Sequence, residues 1–146
     1  MKISSLAFMD TKPIPSEYAY KTGNSSPPLQ IDNVPEDTVS LALIVHDPDA
    51  PSTDFTHWVF WNLLPDSTTI GKEEVPAEVV EGQNDFGNNH WDGPAPPSGT
   101  HRYVFSLYAL DTLLDLPLEA SRYELEEAME DHIIDTAELV GTYTAK

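Results

Sequence analysis

The chain has 146 residues, 40% of them hydrophobic, which suits one domain spanning 1–146 with a core of its own. Seven Lys+Arg against 25 Asp+Glu leave a net charge of −18, which argues against nucleic acid and against an anionic membrane surface, because both are held through Lys and Arg. The absence of Cys excludes disulfides, thiol nucleophiles and cysteine metal sites, and the longest apolar run, Leu41–Val45, is too short to span a bilayer.

The N-terminal stretch carries Lys2, but Ser4, Ser5 and Asp10 interrupt its apolar residues. It does not read as a signal peptide, so a cytoplasmic location without stable membrane insertion is expected. No repeat or low-complexity block is present. The 13 Pro and 7 Gly cut the chain into short segments, which favours a mainly β layout with one helix over a helical bundle.

In chain order, Val39–His46 is apolar almost throughout and predicts a strand buried on both faces. Pro48–Phe55 is a tight, proline-rich connection. Thr56–Leu64 predicts a second strand, whose alternation puts His57, Val59, Trp61 and Leu63 on one face and Trp58, Phe60, Asn62 and Leu64 on the other. Glu81–Thr100 has no periodicity and is rich in Gly, Pro and Asn; an irregular loop of about 20 residues is more often a binding loop than a connector. His101–Leu110 predicts a third strand with His101, Tyr103, Phe105, Leu107 and Ala109 on one face. Ser121 and Glu124 form a capping box that opens the one convincing helix, with Leu125, Ala128, Met129 and then His132 or Ile133 on its apolar stripe. Ala137–Thr144 predicts a last short strand. Apolar strands with bulky residues on both faces imply a central sheet covered by further layers.

Chemistry gathers where these strands meet the loops. Asp47-Pro48-Asp49-Ala50-Pro51 leaves the first strand, and Pro48 stiffens the presentation of two carboxylates. His57 opens the second strand and His101 the third. If those strands are neighbours, two imidazoles and two carboxylates converge, walled by Gly93–Gly99, in which few N–H groups, such as that of Ala95, remain free. Each piece also has a plainer reading: Asp-Pro-Asp as a turn, and a histidine at a strand start as a structural residue. His132 reads as structural, His90 as exposed, and His46 is left open.

Together these motifs resemble the phosphatidylethanolamine-binding protein family, which includes the Raf kinase inhibitor proteins. The resemblance rests on Asp47-Pro48-Asp49-Ala50-Pro51, His57-Trp58-Val59, Gly82-Gln83-Asn84-Asp85-Phe86-Gly87 and Gly93 through Tyr103, in that order. Glu138–Tyr143 is similar to the ending of the compact bacterial and archaeal branch. The resemblance implies a β-sandwich with a large central antiparallel sheet, a smaller sheet and one or two helices. It implies a small pocket lined by residues matching Asp47, Pro51, His57, Pro97, His101 and Tyr103, to which the chain's own pattern adds Asp49 and Ala95. Phosphate, phosphorylethanolamine or carboxylate is the expected ligand class, and the Ala50–Pro51 bond is a candidate for cis. The chain departs in having Ala95 where many relatives have Gly. It also ends shortly after its last strand, so kinase-inhibitor contacts are not carried over.

An anion held by a chain of this charge needs local donors: backbone N–H groups, the Tyr103 hydroxyl and imidazole N–H. Asp47 is expected to accept a hydrogen bond from His57 or His101, fix its tautomer and favour its protonated form, so that anion affinity falls as pH rises. The primary expectation is a binding or regulatory module for a small anion, without cofactor or metal. An inhibitor acting on a protease or kinase pathway through a protein partner, and a hydrolase using His57 or His101 as base, are the alternatives. The hydrolase lacks an evident nucleophile, Ser98 having no elbow pattern around it. A homodimer fits the resemblance. The dispersed acid excess suggests adaptation to high salt.

Overall fold

The structure is a computed structural model that describes residues 1–146. The strands are β1 (Lys2–Ser4), β2 (Lys12–Pro13), β3 (Leu29–Asp32), β4 (Ser40–Asp47), β5 (Phe55–Leu63), β6 (Thr69–Ile70), β7 (Val80–Glu81), β8 (Thr100–Leu110) and β9 (Ile133–Thr144). One helix, α1 (Arg122–Met129), and a 3-10 turn, Ser16–Tyr18, complete the fold. The apolar runs at β4, β5 and β8 lie side by side in a six-stranded sheet of order β2-β9-β8-β4-β5-β7, antiparallel except for the short β2–β9 pairing. A three-stranded sheet, β1-β3-β6, packs against it. The mainly β, two-sheet architecture expected from the sequence is therefore the one observed. The strands of the smaller sheet are only two to four residues long, too short for alternation to mark them.

Alternation divides the core in two. Leu41, Leu43, Val45, Phe105, Leu107 and Ala109 face the small sheet in one buried cluster, while Ala42, Ile44, Val59 and Trp61 face the other way, against Leu125 and Met129 of α1. The same two-residue period fails twice along β5, and both failures matter. Between Leu41↔Leu63 and Leu43↔Phe60 the strand carries one extra residue, a β-bulge at which Asn62 takes φ 63°. Leu63 is thereby turned to the Trp58–Phe60 side, not to the Trp61 side expected from strict alternation. Between Val45↔Trp58 and His46↔Thr56 a second extra residue is His57 itself. The bulge brings its ring to the Tyr103 face of the sheet, with ring centroids 5.2 Å apart, again against the expected phase.

Three other expectations are corrected. The helix stops at Met129, so His132 and Ile133 lie outside it; Asp131 adopts φ 69°, a conformation that ends helical winding. The last strand begins at Ile133, not Ala137, because β8 is 11 residues long and β9 pairs with it from Leu110 back to Thr100, satisfying its backbone groups throughout. Every peptide bond is trans, Ala50–Pro51 included, the isomer preferred even before proline. The capping box is present: Ser121 N–H donates to Glu124 Oε2 at 3.0 Å.

Candidate functional site

At one end of the large sheet a cavity of about 280 Å³ is lined by Asp47, Ala50, Pro51, Phe55, His57, Phe86, Ala95, Pro97, His101 and Tyr103. Seven of the eight residues singled out in the sequence are therefore brought together. Asp49 is the exception: its carboxylate is turned to Arg102, accepting from the backbone N–H at 2.9 Å, from Nε at 3.0 Å and from Nη2 at 2.9 Å, and does not line the cavity. The nearest cation claims it. These bonds hold its carboxyl down at about 2.

Asp47 ends β4 and is buried. Its Oδ1 accepts the Asp49 N–H at 2.8 Å, so the Asp-Pro-Asp turn locks the carboxylate in place, and its Oδ2 accepts from His101 Nδ1 at 2.6 Å. The turn reading of this motif is observed, and of its two carboxylates only that of Asp47 is brought to the cavity. His57 Nδ1 donates to the Asp92 carbonyl oxygen at 2.7 Å. Burial strips water from the ring and pushes its pKa down, only partly offset by Asp92 and Asp47, which favours the neutral imidazole at His57. Tyr103, 1% exposed, has a hydroxyl with no hydrogen-bond partner; burial and then the charge of Asp47 push its pKa up, keeping it a donor.

The long loop is held by a buried polar knot. Asp92, 1% exposed, accepts from the side-chain amides of Asn24, Asn84 and Asn88, each at 2.9 Å. Asn84 Oδ1 in turn accepts the N–H groups of Phe86 and Asn88 at 2.9 and 3.0 Å. Gly93 packs so closely on the 3-10 turn that a Cβ there would fall 1.8 Å from the Tyr18 carbonyl oxygen. This anchors the wall that supplies Ala95 and Pro97.

Sequence reasoning missed the aromatic side. Phe86 lies edge-on to Phe55 at 4.9 Å and to His57 at 5.6 Å, and stacks on Tyr20 at 4.5 Å. Phe86 sits in the quoted Gly82–Gly87 motif, which was the available signal; Phe55 and Ala50 had none beyond adjacency. The other histidines lie elsewhere. His46 Nδ1 meets Asp54 at 2.8 Å, His132 Nδ1 meets Asp111 at 2.7 Å, and His90 is exposed as expected. No three His, Asp or Glu side chains converge in a metal-holding arrangement.

Comparisons with known proteins show the family and the fold. The profile of the family described as phosphatidylethanolamine-binding protein matches residues 4–144. A UPF0098 protein of Methanothermobacter thermautotrophicus is 50% identical over 148 residues, covering 98% of each chain. A UPF0098 protein of Pyrococcus horikoshii is 44% identical, covering all of this chain and 77% of the other. A crystal structure of a Chlamydia trachomatis protein, described as a homolog of phosphatidylethanolamine-binding protein, superposes with a TM-score of 0.94 at 38% identity, covering 99% of this chain and 97% of the other. Escherichia coli YbcL, described as a member of the mammalian family, also gives a TM-score of 0.94, at 28% identity, with 99% and 98% covered.

Proposed function

The chain belongs to the phosphatidylethanolamine-binding protein family, and on that premise we propose that it is a binding or regulatory module whose pocket takes a small oxyanion: phosphate, a phosphorylated head group or a carboxylate. The observation that carries the reading is Tyr103, which lines the cavity beside the Asp47–His101 pair and whose buried hydroxyl has no hydrogen-bond partner. A buried hydroxyl without a partner is destabilising unless a ligand or water satisfies it. Binding is favoured over hydrolysis because the cavity lining holds no Ser, Thr or Cys, and its one hydroxyl is a phenol made harder to ionise. The cavity accommodates a head group and not a whole lipid, and no helix is long and apolar enough to cross a membrane. A cytoplasmic location is part of the proposal.

Titration of phosphate, phosphorylethanolamine and acetate, followed by amide chemical shifts, tests it. Shifts centred on residues 47, 57, 95, 101 and 103 are expected. Tyr103→Phe is expected to weaken phosphate by about tenfold or more, the worth of a hydrogen bond to a charged group. No response at millimolar phosphate, or shifts clustered elsewhere, would reject the reading.

A further inference from the structure

Both imidazoles have one nitrogen already engaged. His57 Nδ1 faces a carbonyl oxygen, that of Asp92, and a carbonyl only accepts, so Nδ1 carries the proton. His101 Nδ1 faces the Asp47 carboxylate, which likewise accepts. In a neutral ring the remaining nitrogen, Nε2, is then a lone pair, and neither Nε2 has a hydrogen-bond partner within the chain. No Lys or Arg lines the cavity. With both rings neutral, the site therefore offers two lone pairs and a carboxylate, against the Tyr103 hydroxyl as its free side-chain donor. A fully ionised oxyanion set there meets more acceptors than donors.

Resting on the anion-binding reading above, we infer that the pocket takes its oxyanion together with one proton, held on His101 Nε2 against the guest. His101 is the ring able to hold it. The Asp47 carboxylate stands behind His101 at 2.6 Å and becomes its counter-ion, whereas His57 has only a neutral carbonyl behind it and is 3% exposed. The other groups around His101 do not change this balance. Asp49, from the turn after β4, is neutralised by Arg102 of β8; Tyr103 of β8 and Tyr143, the register partner on β9, are phenols; His57 of β5 is the neutral ring. The proton comes from the guest where the guest has one, as a hydrogen phosphate monoester or a carboxylic acid does, and otherwise from solvent. It moves from that oxygen to Nε2, and no other bond changes.

Calorimetric titration with sulfate, which has no proton to give at neutral pH, separates the two cases. Run in two buffers of different ionisation heat, it is expected to show about one proton taken up per sulfate bound, with affinity falling about tenfold per pH unit wherever uptake is complete. His57→Gln, checked as folded by circular dichroism, is expected to keep the uptake, and Asp47→Asn to lose it. Sulfate binding without proton uptake in the unaltered protein would overturn the inference. So would uptake lost in a folded His57→Gln, or phosphate binding with sulfate excluded at pH 5.5. If neither anion binds at pH 5.5, the anion-binding reading itself falls, and the inference with it.

Discussion

Arg102 directly follows His101 yet faces away from the cavity, and its guanidinium is what withdraws Asp49 from the site. Alternation along β8 explains this: His101 and Tyr103 point to the core face, and Arg102 between them to solvent. The Asp49 carboxyl, held at about 2, lies below the usual carboxylate value of 3.8, so the pair supports the fold above about pH 4 and loses that support as pH falls through about 2. Both side chains are partly exposed, so the effect on stability is small. Arg102→Ala is expected to move the Asp49 titration up toward 3.8 in a carboxyl NMR titration. An unmoved midpoint would mean that the ion pair does not form in solution. Asp47, His57, His101 and Tyr103 were legible as residues because polar side chains on apolar strands stand out. Phe55 and Phe86 were not, because a ring at the first residue of a strand or in a loop carries no mark of what it packs on.

The bulges of β5 set the limits of element-scale reading. Asn62 sits at φ 63°, and its amide ties β5 to the chain before the helix: Nδ2 donates to the Leu114 carbonyl and Oδ1 accepts the Leu114 N–H, both at 2.8 Å. Asn62→Ala would put a residue that tolerates left-handed backbone less well than Asn at φ 63° and remove both bonds, an expected loss of about 2–4 kcal/mol in denaturant unfolding. Asn62→Gly keeps the conformation and is expected to recover the backbone part of that loss. Equal effects of the two variants would show that the conformation is not the constraint. Gly93 gives a second element-scale test. Gly93→Ala cannot be accommodated without moving the Tyr18 carbonyl or the Pro94–Pro97 wall, so both stability and phosphate affinity should fall. A variant of unchanged stability and affinity would show the wall to be free to shift. The helix start, by contrast, was readable from Ser121 and Glu124 alone, since a capping box is local chemistry.

Across the whole molecule, acids far outnumber the cations that could pair with them. Of the seven Lys and Arg side chains, Lys72 pairs with Glu17, Arg102 with Asp49, and Arg122 with Asp54 and Glu126. The remaining acid excess is spread over the surface and repels itself at low ionic strength. Screening shortens from about 30 Å at 0.01 M salt to about 3 Å at 1 M, so the melting temperature is expected to rise with added sodium chloride. Equal or greater stability in dilute buffer would reject adaptation to salt. The sequence by itself determined the long apolar strands, the helix start, the irregular loop and the residue types of the pocket, because periodicity, capping and turn chemistry act over a few neighbouring residues. Only the tertiary structure decided that His57 faces Tyr103, that Asp47 belongs to His101 while Asp49 belongs to Arg102, and that Phe86 closes the aromatic side. Those outcomes depend on strand register and on which charges meet across 54 or 53 residues of chain, and a single extra residue in a strand reverses a face without leaving a trace in the local pattern.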